Sequence, residues 1–427
     1  MKKKSNTIIQ LTNYNQMIST LLVCLISILP LITIQQLPDP IVQPKITTIF
    51  FTITALIILC APSIIIYLER KPAAPLPVKW ALLYLLLITL TLPFSQNIYR
   101  SLYGVDTRME GYLVLVFYIL MFLLAAFFYR PRPWHLKLYL CGAVVMALHA
   151  LFIRYETLLF GIDPKTTELL VLQFTGCGNQ NFLGSYTALA LPVAFWAALK
   201  FGGLAYPAAG IIYFGLLSSN TRGSWIGACV VFAIMVLCYW PKPGCRRRIL
   251  MLCGIFVTIT LVYFTTSTGA TDRFKHFGSV DARGFIYWVT TQLILMRPGT
   301  GWGIETLDFA IFDHFQQEVI DYFGYYAIID KAHCEILQVA FCSGIPAAVA
   351  FVGTQLSTVV RGIRRFALWG PQAPLLFGIG AYMIAALWNI SVVNVAPILW
   401  TFCGMLVSVT RTVEEDPDPE AFLMRPR

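Results

Sequence analysis

Three apolar runs follow one another in residues 180–240, which read QNFLGSYTALALPVAFWAALKFGGLAYPAAGIIYFGLLSSNTRGSWIGACVVFAIMVLCYW. Short turns that contain glycine or polar residues separate the runs, and the stretch holds two charged residues, Lys200 and Arg222. A helix needs roughly 20 predominantly apolar residues to cross about 30 Å of hydrocarbon. The stretch therefore predicts consecutive membrane-spanning helices joined by tight turns.

The composition of the whole chain agrees with that prediction. Of its 427 residues, 58% are hydrophobic and 12% are charged, and the mean hydropathy is +0.71. A soluble domain carries about 25% charged residues. The net charge of +10 would suit a nucleic-acid-binding protein if the basic residues formed a polar surface, but they flank the apolar runs. We therefore expect a single polytopic membrane domain over residues 1–427.

The same scan along the chain predicts about twelve transmembrane helices and an all-α fold. The candidate spans are residues 17–34, 46–68, 78–93, 111–129, 136–153, 180–199, 204–217, 225–240, 249–266, 334–356, 373–390 and 393–410. The first span follows Lys2, Lys3 and Lys4 but lacks the cleavage site of a signal peptide, which predicts a retained helix. The last two spans are one apolar stretch interrupted by polar residues and proline, which leaves either two helices or one broken helix.

Basic residues alternate with the spans in the way the positive-inside rule requires. If the N-terminus is cytoplasmic, 20 of the 31 Lys and Arg residues lie inside, and both termini share that side. The other eleven lie outside, where topology does not require them. They are Lys45, Arg100, Arg108, Arg154, Lys165, Arg222, Arg273, Lys275, Arg283, Arg297 and Lys331.

Cysteine usage favours the same class of protein. Eight of the eleven cysteines lie in apolar runs, where cysteine behaves as a small hydrophobic residue, and the chain has no Cys-x-x-Cys pair. We expect neither a zinc site nor a disulfide framework. One pairing, between Cys177 and Cys334 on the outer side, stays open.

The spans contain essentially no charged residues between their ends. Ion-coupled transporters usually hold ionisable groups near the membrane midplane, so the pattern disfavours that class. The longest connection, residues 267–332, lies between the ninth and tenth spans and has eight acidic residues against five basic ones. A connection of that length is usually functional, so we place any chemistry at the outer face.

Two of the four outer segments begin spans. Residues 176–184, GCGNQNFLG, offer Asn179 and Asn181 as caps for the sixth span, and capping is favoured over substrate contact. Residues 218–224, SSNTRGS, form a polar turn that carries Arg222. An arginine there either extends its guanidinium to water or binds an anion bidentately, and the spacing does not choose between them.

The other two segments belong to the long connection. Residues 281–296 have apolar residues at three- and four-residue intervals, which predicts an amphipathic helix on the membrane or across the outer helix ends, with Arg283 in its first turn. Either an anionic ligand or a salt bridge, for instance to Asp281, explains a cation there. Arg297 opens a glycine turn that ends this helix. Residues 331–338, KAHCEILQ, place His333 at a predicted helix start, where the positive end of the helix dipole favours a neutral imidazole.

Taken in order, these motifs resemble the O-antigen ligase and O-antigen polymerase superfamily of bacterial membrane glycosyltransferases. The similar motifs are Gly-Asn-x-Asn-Phe at 178–182, Thr-Arg-Gly at 221–223, Arg283 followed by Trp288, Arg-Pro-x-x-Gly-x-Gly at 297–303 and Ala-His-x-x-x-Leu-Gln at 332–338. The resemblance covers roughly residues 176–346. Cys334 departs from it, because the family commonly has Asn after the His.

The resemblance implies a GT-C-like, metal-independent inverting enzyme without a cofactor. Such an enzyme, in the bacterial cytoplasmic (inner) membrane, transfers a glycan from an undecaprenyl-diphosphate carrier to a hydroxyl of a lipid, polysaccharide or protein acceptor outside. It implies that Arg222 and Arg283 bind the diphosphate and that His333 is the general base, with support from Asn179, Asn181, Arg297 and Glu335. Its partners would be the lipid-linked glycan, the acceptor and membrane lipids, not nucleic acid. The sequence does not choose between ligase, polymerase and protein O-glycosylation.

Two alternatives come from other functional classes. One is a transporter or channel for a small anion. The other is a non-catalytic subunit of an envelope glycan assembly machine.

Overall fold

The computed structural model describes residues 2–70, 73–160, 176–266, 278–412 and 415. Within these ranges every regular element is a helix, with two short 3₁₀ helices at Leu29–Leu31 and Leu92–Phe94. The α-helices are α1 Lys2–Ile28, α2 Val42–Leu59, α3 Ala61–Arg70, α4 Leu76–Thr91, α5 Ile98–Tyr103, α6 Tyr112–Phe128, α7 Pro133–Phe160, α8 Gln180–Phe201, α9 Ala205–Ser218, α10 Arg222–Tyr239, α11 Cys245–Thr266, α12 Gly278–Met296, α13 Leu307–Phe323, α14 Glu335–Arg364, α15 Gln372–Ala385 and α16 Ala396–Val409.

The apolar helices confirm an all-helical, multi-pass membrane protein. In the described ranges, helices α1, α2, α4, α7, α8, α10, α11 and α14 are long and apolar enough to cross a membrane. The apolar helices α6, α9, α15 and α16 are shorter, so flanking residues must complete their paths. Each of these twelve helices falls on one of the twelve predicted spans, and the second predicted span is divided between α2 and α3.

Helix α14 is broken at Gly344, where the sequence predicted one uninterrupted span. Gly344 has a φ of 83° and Pro346 follows it inside the helix. Pro346 has no N–H for the Cys342 carbonyl, so that carbonyl accepts instead from the Gly303 N–H at 2.9 Å. The Phe341 carbonyl likewise accepts from the Trp302 N–H at 2.9 Å, because the Ile345 N–H bonds the Pro298 carbonyl at 2.8 Å. The turn at 297–303 thus fills the break.

The described part of the long connection forms a second small core against α14. Val289 and Leu293 of α12 are buried with Trp302, Ile311 of α13 and Phe341 of α14. The predicted amphipathic helix is therefore confirmed as a helix, and its buried face packs against α13 and α14. It begins at Gly278, three residues before the predicted start, so Arg283 lies in its second turn and the dipole argument for an anion there is lost.

The two open questions about pairing and breaks are resolved. Residues 373–410 form two separate helices, α15 and α16, with residues 386–395 between them. Asn394 holds this connection by donating to the Cys177 carbonyl at 3.0 Å. All eleven cysteines are free, so Cys177 and Cys334 do not form a disulfide.

The bundle has two different ends. We call one the basic end, where Lys200, Arg248, Arg361 and Arg411 bond backbone carbonyls. We call the other the loop end, formed by residues 176–181, 220–222, 278–335 and 386–395. Several hydrogen bonds tie the loop-end segments together, including Asn389 Nδ2 to the Asn181 carbonyl at 2.9 Å.

Candidate functional site

His333 lies in a short segment that is fixed on both sides. On one side Lys331 is buried and forms an ion pair with buried Glu305. The Ala332 N–H donates to Gln338 Oε1 at 2.8 Å, which ties the segment to the first turn of α14. The segment therefore presents His333 from a rigid base.

The backbone of His333 departs from the sequence prediction. His333 has a φ of 52°, in the left-handed region, and Cys334 is the N-cap of α14. His333 consequently precedes the helix instead of occupying its first turn. A non-glycine residue in this region is uncommon and stores strain of the kind that clusters at functional sites.

The imidazole of His333 is half-buried, and its surroundings disfavour the protonated form. Burial lowers its pKa below the ordinary value of 6.5, and the cationic Arg283, Arg108 and Lys331 lower it further, while Asp330 acts in the opposite direction. The predicted neutral imidazole is therefore supported, but by burial and nearby cations instead of the helix dipole. A neutral imidazole can accept a proton.

Arg283 and Tyr287 lie one turn apart on α12 and face the His333 segment. Tyr287 Oη is placed to donate to the His333 carbonyl at 3.1 Å and to the Leu387 carbonyl at 3.3 Å. Arg283 lowers the pKa of both His333 and Tyr287, whereas burial and Cys334 raise that of Tyr287. Arg283 itself is half-buried, and among the described side chains it has no carboxylate partner. The side chain of Asp281 lies outside the described residues.

Arg222 begins α10 at the same end of the molecule. It is half-buried, and its neighbour Gly223 packs so closely on Trp388 that an added Cβ would come within 3.0 Å of the Trp388 Cβ. Leu387, which accepts from Tyr287, is the residue before Trp388. Residues 386–389 therefore contact both helix α10 and the group formed by Arg283, Tyr287 and His333.

The segment 386–389 also contacts the first residue of α14. The Glu335 N–H donates to the Ala386 carbonyl at 3.0 Å, two residues after His333. The described contacts thus bring the helix start that carries Arg222, the helix face that carries Arg283 and the His333 segment to one region.

Asn179 and Asn181 have structural contacts. Asn179 is the N-cap of α8, and its Oδ1 accepts from the Asn181 N–H at 2.8 Å, as capping predicts. Asn181 Oδ1 accepts from Thr221 Oγ1 at 3.3 Å, which joins α8 to the turn before Arg222.

Arg297 and Glu335 have contacts away from His333. The Arg297 guanidinium stacks on the Trp302 ring at 4.1 Å. Glu335 is buried and accepts from Tyr382 Oη at 3.3 Å. The structure therefore groups Arg283 with His333, and it assigns Arg297 to the turn that fills the break in α14.

Sequence reasoning missed Glu110 and Glu305, two buried acidic residues beside this region. A cavity of about 80 Å³ is lined by Glu110, Glu305, Lys331 and Glu335, among others. Burial and Glu305 raise the pKa of Glu110 to about 8, although Lys331 and Arg108 favour its charged form. Glu305 and Glu110 raise the pKa of Lys331 against the effect of its burial. A pKa of about 8 keeps Glu110 largely protonated at neutral pH, beside the Lys331–Glu305 ion pair.

Other outer basic residues tether the connection. Arg100 pairs with Asp308 at 2.9 Å, and Arg108 pairs with Asp330 at 2.7 Å. Lys45 is buried and donates to the Gly176 carbonyl at 2.5 Å. Lys165, Arg273, Lys275 and the side chain of Arg154 lie outside the described residues.

Comparison with known proteins supports the resemblance found in the motifs. A family model described as O-antigen ligase matches residues 207–352, the stretch that carries Arg222, Arg283 and His333. The motif at 178–182 precedes the matched stretch. A search of curated proteins finds no match.

Proposed function

From the match of residues 207–352 to the O-antigen ligase family, we propose that this chain is an integral-membrane glycan ligase or polymerase. It transfers a glycan from an undecaprenyl-diphosphate carrier to an acceptor hydroxyl, with inversion at the sugar carbon. The observation that carries the proposal is the grouping of Arg283 with His333: Tyr287, one turn from Arg283 on α12, contacts the His333 carbonyl, and Arg283 lowers the pKa of His333. A half-buried guanidinium without a described carboxylate partner lies beside an imidazole whose pKa is lowered.

In the proposed step His333 accepts the proton and the two arginines bind the leaving group. The acceptor oxygen forms a bond to the anomeric carbon of the donor sugar, and its proton passes to the neutral imidazole of His333. The bond between that carbon and the diphosphate oxygen breaks, and its electron pair leaves with the lipid diphosphate. Arg283 and Arg222 bind the diphosphate as its negative charge grows.

The magnitudes suit these roles. A hydrogen bond to a charged group contributes about 1.5 to 3 kcal/mol, and stabilisation of the leaving diphosphate counts most in the transition state. A positioned general base adds about 10² to 10⁴ in rate. The rigid His333 segment supplies the positioning that such a base requires.

The proposed orientation places the loop end outside the bacterial cytoplasmic membrane. The basic end then faces the cytoplasm together with both termini, in agreement with the positive-inside rule. In this orientation the described part of the 267–332 connection covers the outer ends of the bundle. A lipid head group and an external acceptor both have access to that face.

A comparison of two arginines, Arg283 on α12 and Arg297 in the turn that follows α12, tests the proposal. We would measure donor affinity and glycan transfer with purified protein and an undecaprenyl-diphosphate-linked oligosaccharide. Arg283→Gln should weaken donor binding by about tenfold or more, since a charge-assisted hydrogen bond is lost. Arg297→Gln is the matched control, because its guanidinium stacks on Trp302, and its donor affinity should stay close to wild type. Equal affinities in all three proteins would contradict the diphosphate role.

A further inference from the structure

A second and larger cavity lies at the basic end, away from the candidate site. Its volume is about 390 Å³, within the range of small-molecule sites. Apolar side chains from five helices line it, among them Val23, Val193, Phe402 and Met405. Arg132, the residue before α7, and Lys200, in the last turn of α8, also line it and are exposed, which places a cationic rim at its mouth. Lys200 also donates to the Trp369 carbonyl.

Two buried side-chain atoms in this cavity have no hydrogen-bond partner among the described residues. His135 is 4% exposed and Tyr139 is 3% exposed, and both line the cavity one turn apart on α7. In the described part of the chain neither His135 Nε2 nor Tyr139 Oη makes a hydrogen bond. Leaving such a group unsatisfied costs about 1 to 3 kcal/mol, so each such group calls for an explanation.

The hydrogen bonding of His135 shows which kind of partner its Nε2 atom needs. The Arg132 N–H is 3.3 Å from His135 Nδ1, so Nδ1 accepts and Nε2 carries the proton in the neutral ring. Tyr139 Oη also has a proton to donate. Both groups therefore need an acceptor oxygen inside an apolar cavity.

We propose that this cavity binds an anionic phospholipid. One acyl chain enters among Val193, Phe402 and Met405, and an ester carbonyl accepts from His135 and Tyr139. The phosphate meets the rim formed by Arg132 and Lys200. In a phospholipid the acyl ester joins an acceptor oxygen to an apolar chain. His135 and Tyr139 lie in the first two turns of α7, close to the rim, where such an ester would lie below the phosphate.

Tyr139→Phe tests the carbonyl contact without a folding penalty. The hydroxyl it removes has no partner in the described chain, so the lipid-free protein should be as stable as wild type or more stable. After delipidation, phosphatidylglycerol binding measured by native mass spectrometry should weaken roughly three- to tenfold. Phosphatidylcholine binding should weaken by the same factor, since it has the same ester.

Arg132→Gln tests the rim separately. It should weaken phosphatidylglycerol binding and leave phosphatidylcholine binding unchanged. Tyr213→Phe is the control outside the cavity: it removes the 2.7 Å hydrogen bond to Thr260, so it should lower the melting temperature without changing lipid affinity. Wild-type affinities in Tyr139→Phe, or no phospholipid bound to wild type, would overturn the proposal. Palmitate binding as tightly as phosphatidylglycerol would replace the phospholipid with a free fatty acid and also overturn it.

Discussion

The basic end and the loop end use the same residue types with mostly different partners. At the basic end, Lys200, Arg248, Arg361 and Arg411 donate to backbone carbonyls at or near helix ends, and Arg361 also pairs with the Glu415 carboxylate. At the loop end, Arg100, Arg108 and Lys331 pair with carboxylates of the long connection.

The difference shows that position alone does not identify a functional cation. At the basic end Arg248, Arg361 and Arg411 satisfy carbonyls at or next to helix ends, which is a structural role. At the loop end Arg100 and Arg108 hold the connection by pairing with Asp308 and Asp330, and Lys331 pairs with Glu305 within the connection. Arg283 differs from both groups, because it faces His333 and has no described carboxylate partner. That contrast singles it out as a candidate for an anionic substrate.

The largest expected effect belongs to His333→Asn. Asparagine tolerates the left-handed backbone at this position better than alanine does, so the fold should persist. The loss of the proton acceptor should lower the rate of transfer by about 10² to 10⁴ while donor affinity stays close to wild type. Single-turnover transfer and donor binding measured side by side would check this. Transfer at the wild-type rate would exclude the general base.

The next effect is on stability at the loop end. Glu305→Gln leaves the Lys331 charge without its partner in a buried site, which should cost about 3 to 5 kcal/mol of the free energy of unfolding. Thermal or denaturant unfolding in detergent would measure it. The double variant Glu305→Gln with Lys331→Met removes both charges and should recover much of the loss. A double variant no more stable than Glu305→Gln would contradict the explanation by an unpaired charge.

The pH dependence of transfer should report the Arg283–His333 pair. The base works only while neutral, so activity falls as pH drops through the pKa of His333, which lies below the ordinary value of 6.5. Arg283→Gln removes a cation that lowers this pKa, so the acid limb should move to higher pH. The profile of kcat/KM for the variant checks the direction. An unchanged acid limb would contradict the claim that Arg283 lowers the pKa of His333.

The smallest effect is expected at the basic end. Arg248→Gln removes a contact with the carbonyls at the end of α8, which should cost about 0.3 to 1 kcal/mol of stability. Transfer activity should stay at the wild-type level. An activity loss comparable to that of Arg283→Gln would remove the distinction between the two ends.

The sequence predicted the all-helical fold because apolar runs and flanking charges are local signals. It predicted the glycine turn at 297–303 and the cap at Asn179 for the same reason. It missed the break at Gly344 although Gly344 and Pro346 are local breaking signals, and it could not show the partners Pro298, Trp302 and Gly303, which lie more than 40 residues away.

The candidate site was only partly accessible from sequence. Motif resemblance proposed Arg283 and His333, but the left-handed backbone of His333 and the Tyr287 contact are tertiary features. The Lys331–Glu305 pair and Glu110 carried no signal, because charged residues in a polar connection normally face water. Their burial appears only when the connection folds onto the bundle.

The central claim is that Arg222, Arg283 and His333 serve one lipid-diphosphate site at the loop end. A cryo-electron microscopy structure of the protein with a non-hydrolysable undecaprenyl-diphosphate sugar would test it most directly. We expect the diphosphate within hydrogen-bond distance of both guanidinium groups, with the His333 imidazole facing the anomeric carbon. A diphosphate bound elsewhere, or contacted by neither arginine, would contradict the claim.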